Sequence, residues 1–215
     1  MKNTWAEFLS TKTLFMNAIQ LNELLWTIQR YIPGGAQLLE VGFGSGTTTV
    51  LLSDIGYHVT ALDIDQTLVD RFILRYPDWI ETGRVEVKQA DMFSLPWKEK
   101  TFELAYHQGV LEHFSDDEII LALKEEARVA HWIIFDVPNR RGNKHPFGDE
   151  RLLPPSHWRN LIKRAGVTLV EEVGRNFPRW MYIFPHAFFS RQSLYRWPWF
   201  SRVAGTDSIF ICKCN

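Results

Sequence analysis

The chain reads as an α/β protein with a mostly parallel sheet and helices on both faces. Three observations carry that reading. Short apolar runs alternate with amphipathic helical segments between about residues 36 and 173, the pattern of a parallel sheet covered on both sides. The first run, Leu38 to Val41, opens into three close glycines, Gly42, Gly44 and Gly46. An acidic residue, Asp63, follows Gly42 by 21 positions, where a second strand should end. Doubly wound folds grip a ribose from such a position through its hydroxyls.

Taken in order, Trp5 to Leu9 and Leu14 to Tyr31 carry apolar residues at helical spacing until Pro33, Gly34 and Gly35 stop the pattern. These make an N-terminal helical cap, residues 1–35. The core then alternates: strand Gln37 to Val41, helix Thr47 to Ile55, strand His58 to Leu62, helix Gln66 to Tyr76 and strand Arg84 to Gln89. Strand Phe102 to Tyr106, helix Asp116 to Val129 and strand Trp132 to Val137 follow. Ser156 reads as the N-cap of the next helix and Gly166 as its stop, with strands at Val167 to Val173 and Ser208 to Lys213. Between those last strands lie residues 174–206, where Trp, Tyr and Phe interleave with Arg175, Arg179, Arg191, Arg196 and Arg202. A connection this long tends to be functional or to carry its own structure.

Composition bounds the rest. With 215 residues and 46% hydrophobic content the chain can bury one sizeable core, so one domain is expected over residues 1–215. A net charge of −1 with 23% charged residues excludes a disordered chain. The charge is uneven: residues 1–127 hold 10 Lys and Arg against 19 Asp and Glu, and residues 128–215 hold 14 against 6. That asymmetry suits a partner with negative charge. No apolar run reaches the roughly 18 to 20 residues that span a bilayer, and the first residues lack the pattern of an export signal. A cytoplasmic location is therefore expected. Cys212 and Cys214 are the only cysteines; two apart in a terminal strand, they suit neither a disulfide nor a zinc site.

The spacing of the glycines bears on the ligand. A dinucleotide site wants G-x-G-x-x-G with a pyrophosphate on a helix N-terminus, whereas this loop is Gly42-x-Gly44-x-Gly46 with Glu40 just ahead of it. An acid there repels a pyrophosphate and suits a cation. LLEVGFGSG (Leu38 to Gly46) closely resembles the first motif of class I S-adenosylmethionine (SAM)-dependent methyltransferases. ALDID, ending at Asp65, follows in the family's order; VKQADMFSLPW (Val87 to Trp97) resembles its adenine segment, and FELAYHQGVLEHF (Phe102 to Phe114) the fourth-strand motif of its small-molecule branch.

The resemblance implies a Rossmann-like sheet of seven strands, the last antiparallel, and a site for SAM that releases S-adenosylhomocysteine. It assigns Asp63 to the ribose hydroxyls, with Gly42, Phe43, Gly44 and Gly46 beside the methionine part. Glu40 orients that loop or faces the amino group. Ile64 lies by the adenine, Asp91 accepts from the adenine amino group, and Met92 packs on the ring. Gln108 and Gly109 line the reactive end. His113 and His107 are the candidate bases, since histidine exchanges a proton near neutral pH. A metal site is not required; His145 and Asp149 are the nearest to a ligand pair. The acceptor is expected to be a small or amphipathic molecule, with the N-terminal cap and residues 174–206 as its roof. That aromatic and arginine-rich stretch also suits contact with a lipid or membrane surface, and nucleic acid is disfavoured because the strand end reads YHQG rather than an acid, a proline and an aromatic. A non-catalytic SAM-binding protein and an NAD-type oxidoreductase remain as alternatives.

Overall fold

The structure is a computed structural model that describes residues 14–139, 150–175 and 205–215. Seven strands form one sheet: β1 Gln37–Val41, β2 His58–Asp63, β3 Val85–Gln89, β4 Phe102–Gln108, β5 Ala130–Pro138, β6 Thr168–Arg175 and β7 Asp207–Lys213. Their order is β3-β2-β1-β4-β5-β7-β6. β7 alone runs antiparallel to its neighbours β5 and β6, as the family resemblance implies.

Helices cover both faces because the strands are apolar on both. Along β1, Leu38 and Leu39 point to opposite sides and both are fully buried, so the run is continuous rather than alternating. One face packs Leu39, Ala105, Ile133 and Phe210 under α5 (Asp116–Val129) and α6 (Pro155–Arg164) through Ile119, Leu123, Trp158 and Leu161. The other packs Leu38, Leu104, Ile134 and Ile211 under α1 (Leu14–Tyr31). α2 (Thr47–Asp54) and α3 (Gln66–Arg75) close that face beside β2, with Val50, Leu68 and Phe72 against Ala61 and Val85.

The described part of the N-terminal cap packs on the sheet. In α1 and at the residue that follows it, Leu21, Leu24, Ile28 and Ile32 are all buried against the sheet, each contributing roughly 1.5–3 kcal/mol. Tyr31 donates to Glu171 and Arg30 pairs with it at 3.1 Å, fixing the helix end to β6. α1 is thus a layer of the fold. The expected helix at Trp5 to Leu9 lies outside the described residues.

Other boundaries moved for local reasons. α6 begins at Pro155 with Pro154 as N-cap and no side-chain cap, so Ser156 is inside the helix rather than its cap. Proline in the first turn lacks only an N–H that the helix would leave unused. α5 has the full capping box, Ser115 with Glu118. A five-residue helix, α4 (Pro77–Glu81), was too short to leave a periodic signal. β6 extends through Gly174 and Arg175, so these belong to the sheet rather than to the aromatic segment; residues 176–204 lie outside the described residues. Cys212 and Cys214 are buried free thiols. Among the described residues no helix is long and apolar enough to cross a membrane.

Candidate cofactor and acceptor site

The sheet order reverses between β1 and β4, and the crevice at such a point, beyond the strand C-termini, is where doubly wound folds bind ligands. A cavity of about 460 Å³ lies there, within the size range of small-molecule sites. Of the residues singled out from sequence, Gly42, Gly44, Asp63, Ile64, Asp91, Met92, Gln108, Gly109 and His113 line it.

The glycine loop is shaped by backbone conformation. Gly42, Gly44 and Gly46 all have positive φ, 66°, 53° and 71°, a region that costs other residues energy. Gly42 and Phe43 donate from their backbone N–H groups to the Leu62 carbonyl at 2.8 and 3.2 Å, tying the loop to the end of β2. The loop's members divide in role. Gly42 and Gly44 offer backbone to the cavity. Phe43 instead turns into the core, 4% exposed, its ring 5.5 Å from Phe72. Gly46 caps α2, and a Cβ there would overlap the Phe72 ring.

Glu40 does not line the cavity. Its Oε2 accepts from Thr49 and, at 2.8 Å, from the Tyr106 hydroxyl, so it braces β1 against β4 and the first turns of α2. Burial pushes its carboxyl up to about 7, against the lowering effect of the two hydroxyl donors. Of the two roles expected for it, orienting the loop fits this position and facing an amino group does not.

Asp63 ends β2 at the cavity wall. Its Oδ1 accepts from the Asp65 N–H at 3.0 Å and its Oδ2 from the Gly44 N–H at 3.5 Å, so the loop and the carboxylate hold each other. Burial pushes the Asp63 carboxyl above its ordinary value while those N–H groups lower it. Beside it Ile64 is 66% exposed, an apolar side chain left open at the cavity rim. Across the cavity Met92 is buried, and Asp91 accepts from the Phe93 N–H at 2.9 Å. Asp91 therefore holds its own turn while it lines the cavity.

The opposite wall comes from β4 and the 3-10 turn Leu111–His113. Gln108 and Gly109 stand at the strand end, and Val110, His113 and Phe114 continue the lining. Phe114 packs edge-on against Phe93 at 5.3 Å, which closes this side with two rings. His107, one residue earlier, points the other way. Its side chain is fully buried, stacked on Phe135 at 5.4 Å and 3.5 Å from Glu126 Oε1. Alternation along the strand sends its imidazole into the core, so the geometry does not support His107 as a base. His145 and Asp149 lie outside the described residues.

Sequence reasoning missed several participants. Asp65, Leu68, Ala90, Phe93, Val110 and Phe114 also line the cavity. Behind Gln108 and Gly109 lies a buried acidic group: Glu112, Asp136 and Glu150, with Asp207 close by and Arg175 paired to Asp136. Burial pushes Glu112 up to about 8, with Asp136, Glu150 and Asp207 adding to the effect. Asp136 carried the same signal as Asp63, an acid at the end of an apolar strand.

The comparisons with known proteins follow this geometry. Residues 39–131 match the family model described as a methyltransferase domain. A probable S-adenosylmethionine-dependent methyltransferase of Mycobacterium tuberculosis is 32% identical over 140 residues, covering 64% of this chain and 47% of that protein. Residues 39–131 are thus similar to a methyltransferase domain, and the chain is similar to SAM-dependent methyltransferases. A second protein described in the same terms, from Mycolicibacterium smegmatis, is 26% identical over 141 residues, covering 65% and 52% of the two chains. The chain spans about half the length of the curated relatives it matches. In fold it resembles a SAM-dependent methyltransferase from Aquifex aeolicus, with a TM-score of 0.70 and 15% identity over the full length of both.

The site fits SAM in its own chemistry. A bare glycine backbone at Gly42 and Gly44, a carboxylate at Asp63 and the open apolar Ile64 are what a cationic, ribose-bearing adenosyl ligand needs from one cavity.

Proposed function

We propose that the protein transfers the methyl group of SAM to a small or amphipathic acceptor by in-line displacement. The observation that carries this reading is convergence. Residues from three separate stretches that resemble the family, 38–46, 87–97 and 102–114, meet with Asp63 around one cavity at the switch point of the sheet.

In that reading Asp63 holds the ribose hydroxyls, and Gly42 and Gly44 hold the methionine part through backbone. Ile64 and Met92 enclose the adenine, with Asp91 at its edge. When bound, the sulfonium supplies an electrophilic methyl carbon, to which the acceptor's lone pair bonds as the carbon–sulfur pair leaves with sulfur. The protein's contribution is to align the acceptor and exclude water. Phe93, Val110 and Phe114 form the apolar wall that does so. His113, a histidine on that wall, takes the proton from an acceptor that must lose one. Residues 176–204 choose the acceptor, because their aromatic and arginine content suits an amphipathic molecule.

The test is release of S-adenosylhomocysteine from SAM across a panel of hydroxyl, carboxylate, amine and activated-carbon acceptors. Turnover with at least one of them, abolished in Asp63→Ala, supports the proposal. A protein that binds SAM yet releases no product with any acceptor would instead be a non-catalytic SAM-binding protein.

A further inference from the structure

Gln108 reaches the cavity from the end of β4, and its amide is not free to turn. Its Nε2 donates to Asp136 Oδ2 at 3.2 Å. The same oxygen accepts from Arg175 Nη2, which also lies 3.7 Å from Asp207 Oδ2. Asp136 is 1% exposed and Arg175 5%, so water does not loosen the pair. The backbone adds a further tie, since the Gly109 N–H donates to the Asp136 carbonyl at 3.0 Å.

An ionised carboxylate only accepts hydrogen bonds, whereas a primary amide has one accepting and one donating end. Held beside Arg175, Asp136 can face only the donating end of Gln108. The carbonyl oxygen is then the half of the amide left for the cavity, which Gln108 lines. Around this point Asp136 and Asp207 both lie beside Arg175, and Glu150 is a further acid within reach of the same cluster. The surroundings of the Gln108 carbonyl therefore favour a positive or hydrogen-bond-donating group over an anion.

We infer that Asp136 and Arg175 are positioning residues that hold Gln108 with its carbonyl oxygen toward the reactive end, where it reads an N–H or O–H donor on the methyl acceptor. The inference rests on the methyltransferase reading and narrows the acceptor to a hydroxyl or an amine. It also explains why β6 continues to Arg175: its last residue closes the chain Gln108–Asp136–Arg175–Asp207 across β4, β5, β6 and β7. A hydrogen bond of this kind aims a lone pair of the donor atom toward the methyl carbon.

The probe is sinefungin, a SAM analogue that carries an amine on carbon in place of the methylated sulfur, set against S-adenosylhomocysteine, which has neither methyl nor amine there. Calorimetric titrations of the full chain at pH 8 should give at least tenfold tighter binding of sinefungin. Asp136→Asn can donate to Gln108 and so frees the amide to turn; it should reduce that preference to threefold or less while binding of S-adenosylhomocysteine persists. Gln108→Leu, a change at a partly exposed position, should remove the preference independently should Asp136→Asn fail to fold. A wild-type protein with no preference for the amine, or a preference undiminished in Gln108→Leu, overturns the inference. If neither compound binds, the cofactor reading fails first and the inference falls with it.

Discussion

Replacing Gly46 with alanine separates two roles that a glycine-rich loop can have. Gly46 sits at φ 71° as the N-cap of α2, a conformation that costs an L-residue roughly 1–2 kcal/mol. The new methyl group would also overlap the Phe72 ring. Phe72 cannot swing away: it is 3% exposed and packs against Phe43 at 5.5 Å and Tyr76 at 5.0 Å. Forcing an extra carbon into a packed core costs about 1–3 kcal/mol. Together the variant should lose about 2–5 kcal/mol, a large part of a stability of roughly 5–15 kcal/mol. For a domain near this size that lowers the melting temperature by on the order of 10 °C. Thermal unfolding followed by near-ultraviolet circular dichroism measures it. A melting point within about 2 °C of wild type, accompanied by loss of SAM affinity, would refute the reasoning and make Gly46 a ligand-contact glycine after all.

Three further outcomes are expected. Glu112 holds a proton in the folded state up to about pH 8 but in the unfolded state only to about 4.5, so its contribution is full below the lower value and lost as pH rises to the higher. Glu112→Gln should flatten the fall in unfolding free energy between pH 5 and 8.5 by on the order of 2–4 kcal/mol, and parallel pH profiles for the two proteins would contradict this. Glu40, pushed up to about 7, acts with the same sign; Glu40→Gln keeps an oxygen for Thr49 and Tyr106 and should remove its share of the slope between pH 4.5 and 7, read in the same unfolding series. His113→Ala should reduce turnover by about 10²- to 10⁴-fold, whereas His107→Phe, buried on Phe135, should change stability and leave SAM affinity intact. The reverse order of effects would exchange their roles.

What the sequence made legible depended on how local the cause was. β1 and β2 could be placed because two-sided burial writes short, mostly apolar runs, interrupted only at Glu40 and Thr60, and Asp63 because strand length fixes where an acid meets the crevice. The Ser115 box was not singled out, though its spacing was present in the sequence. Ser156 misled because a proline pair just ahead of it, Pro154 and Pro155, starts the helix without any side-chain cap. His107 and Gln108 are neighbours whose roles differ by one strand residue: 180° of alternation buries the first and gives the second to the cavity. The positions of Asp136 and Arg175 beside Gln108 were beyond reach, since the strands that bring them together are 28 and 67 residues from Gln108 and become neighbours only through the sheet order.

The most direct test of the central claim is calorimetric titration of SAM, S-adenosylhomocysteine and NAD into the wild-type protein and Asp63→Ala. The account predicts micromolar binding of the first two, none of NAD, and at least tenfold weaker binding in the variant, about 1.4 kcal/mol. Binding of NAD without SAM or its product, or affinity unchanged in Asp63→Ala, would contradict it.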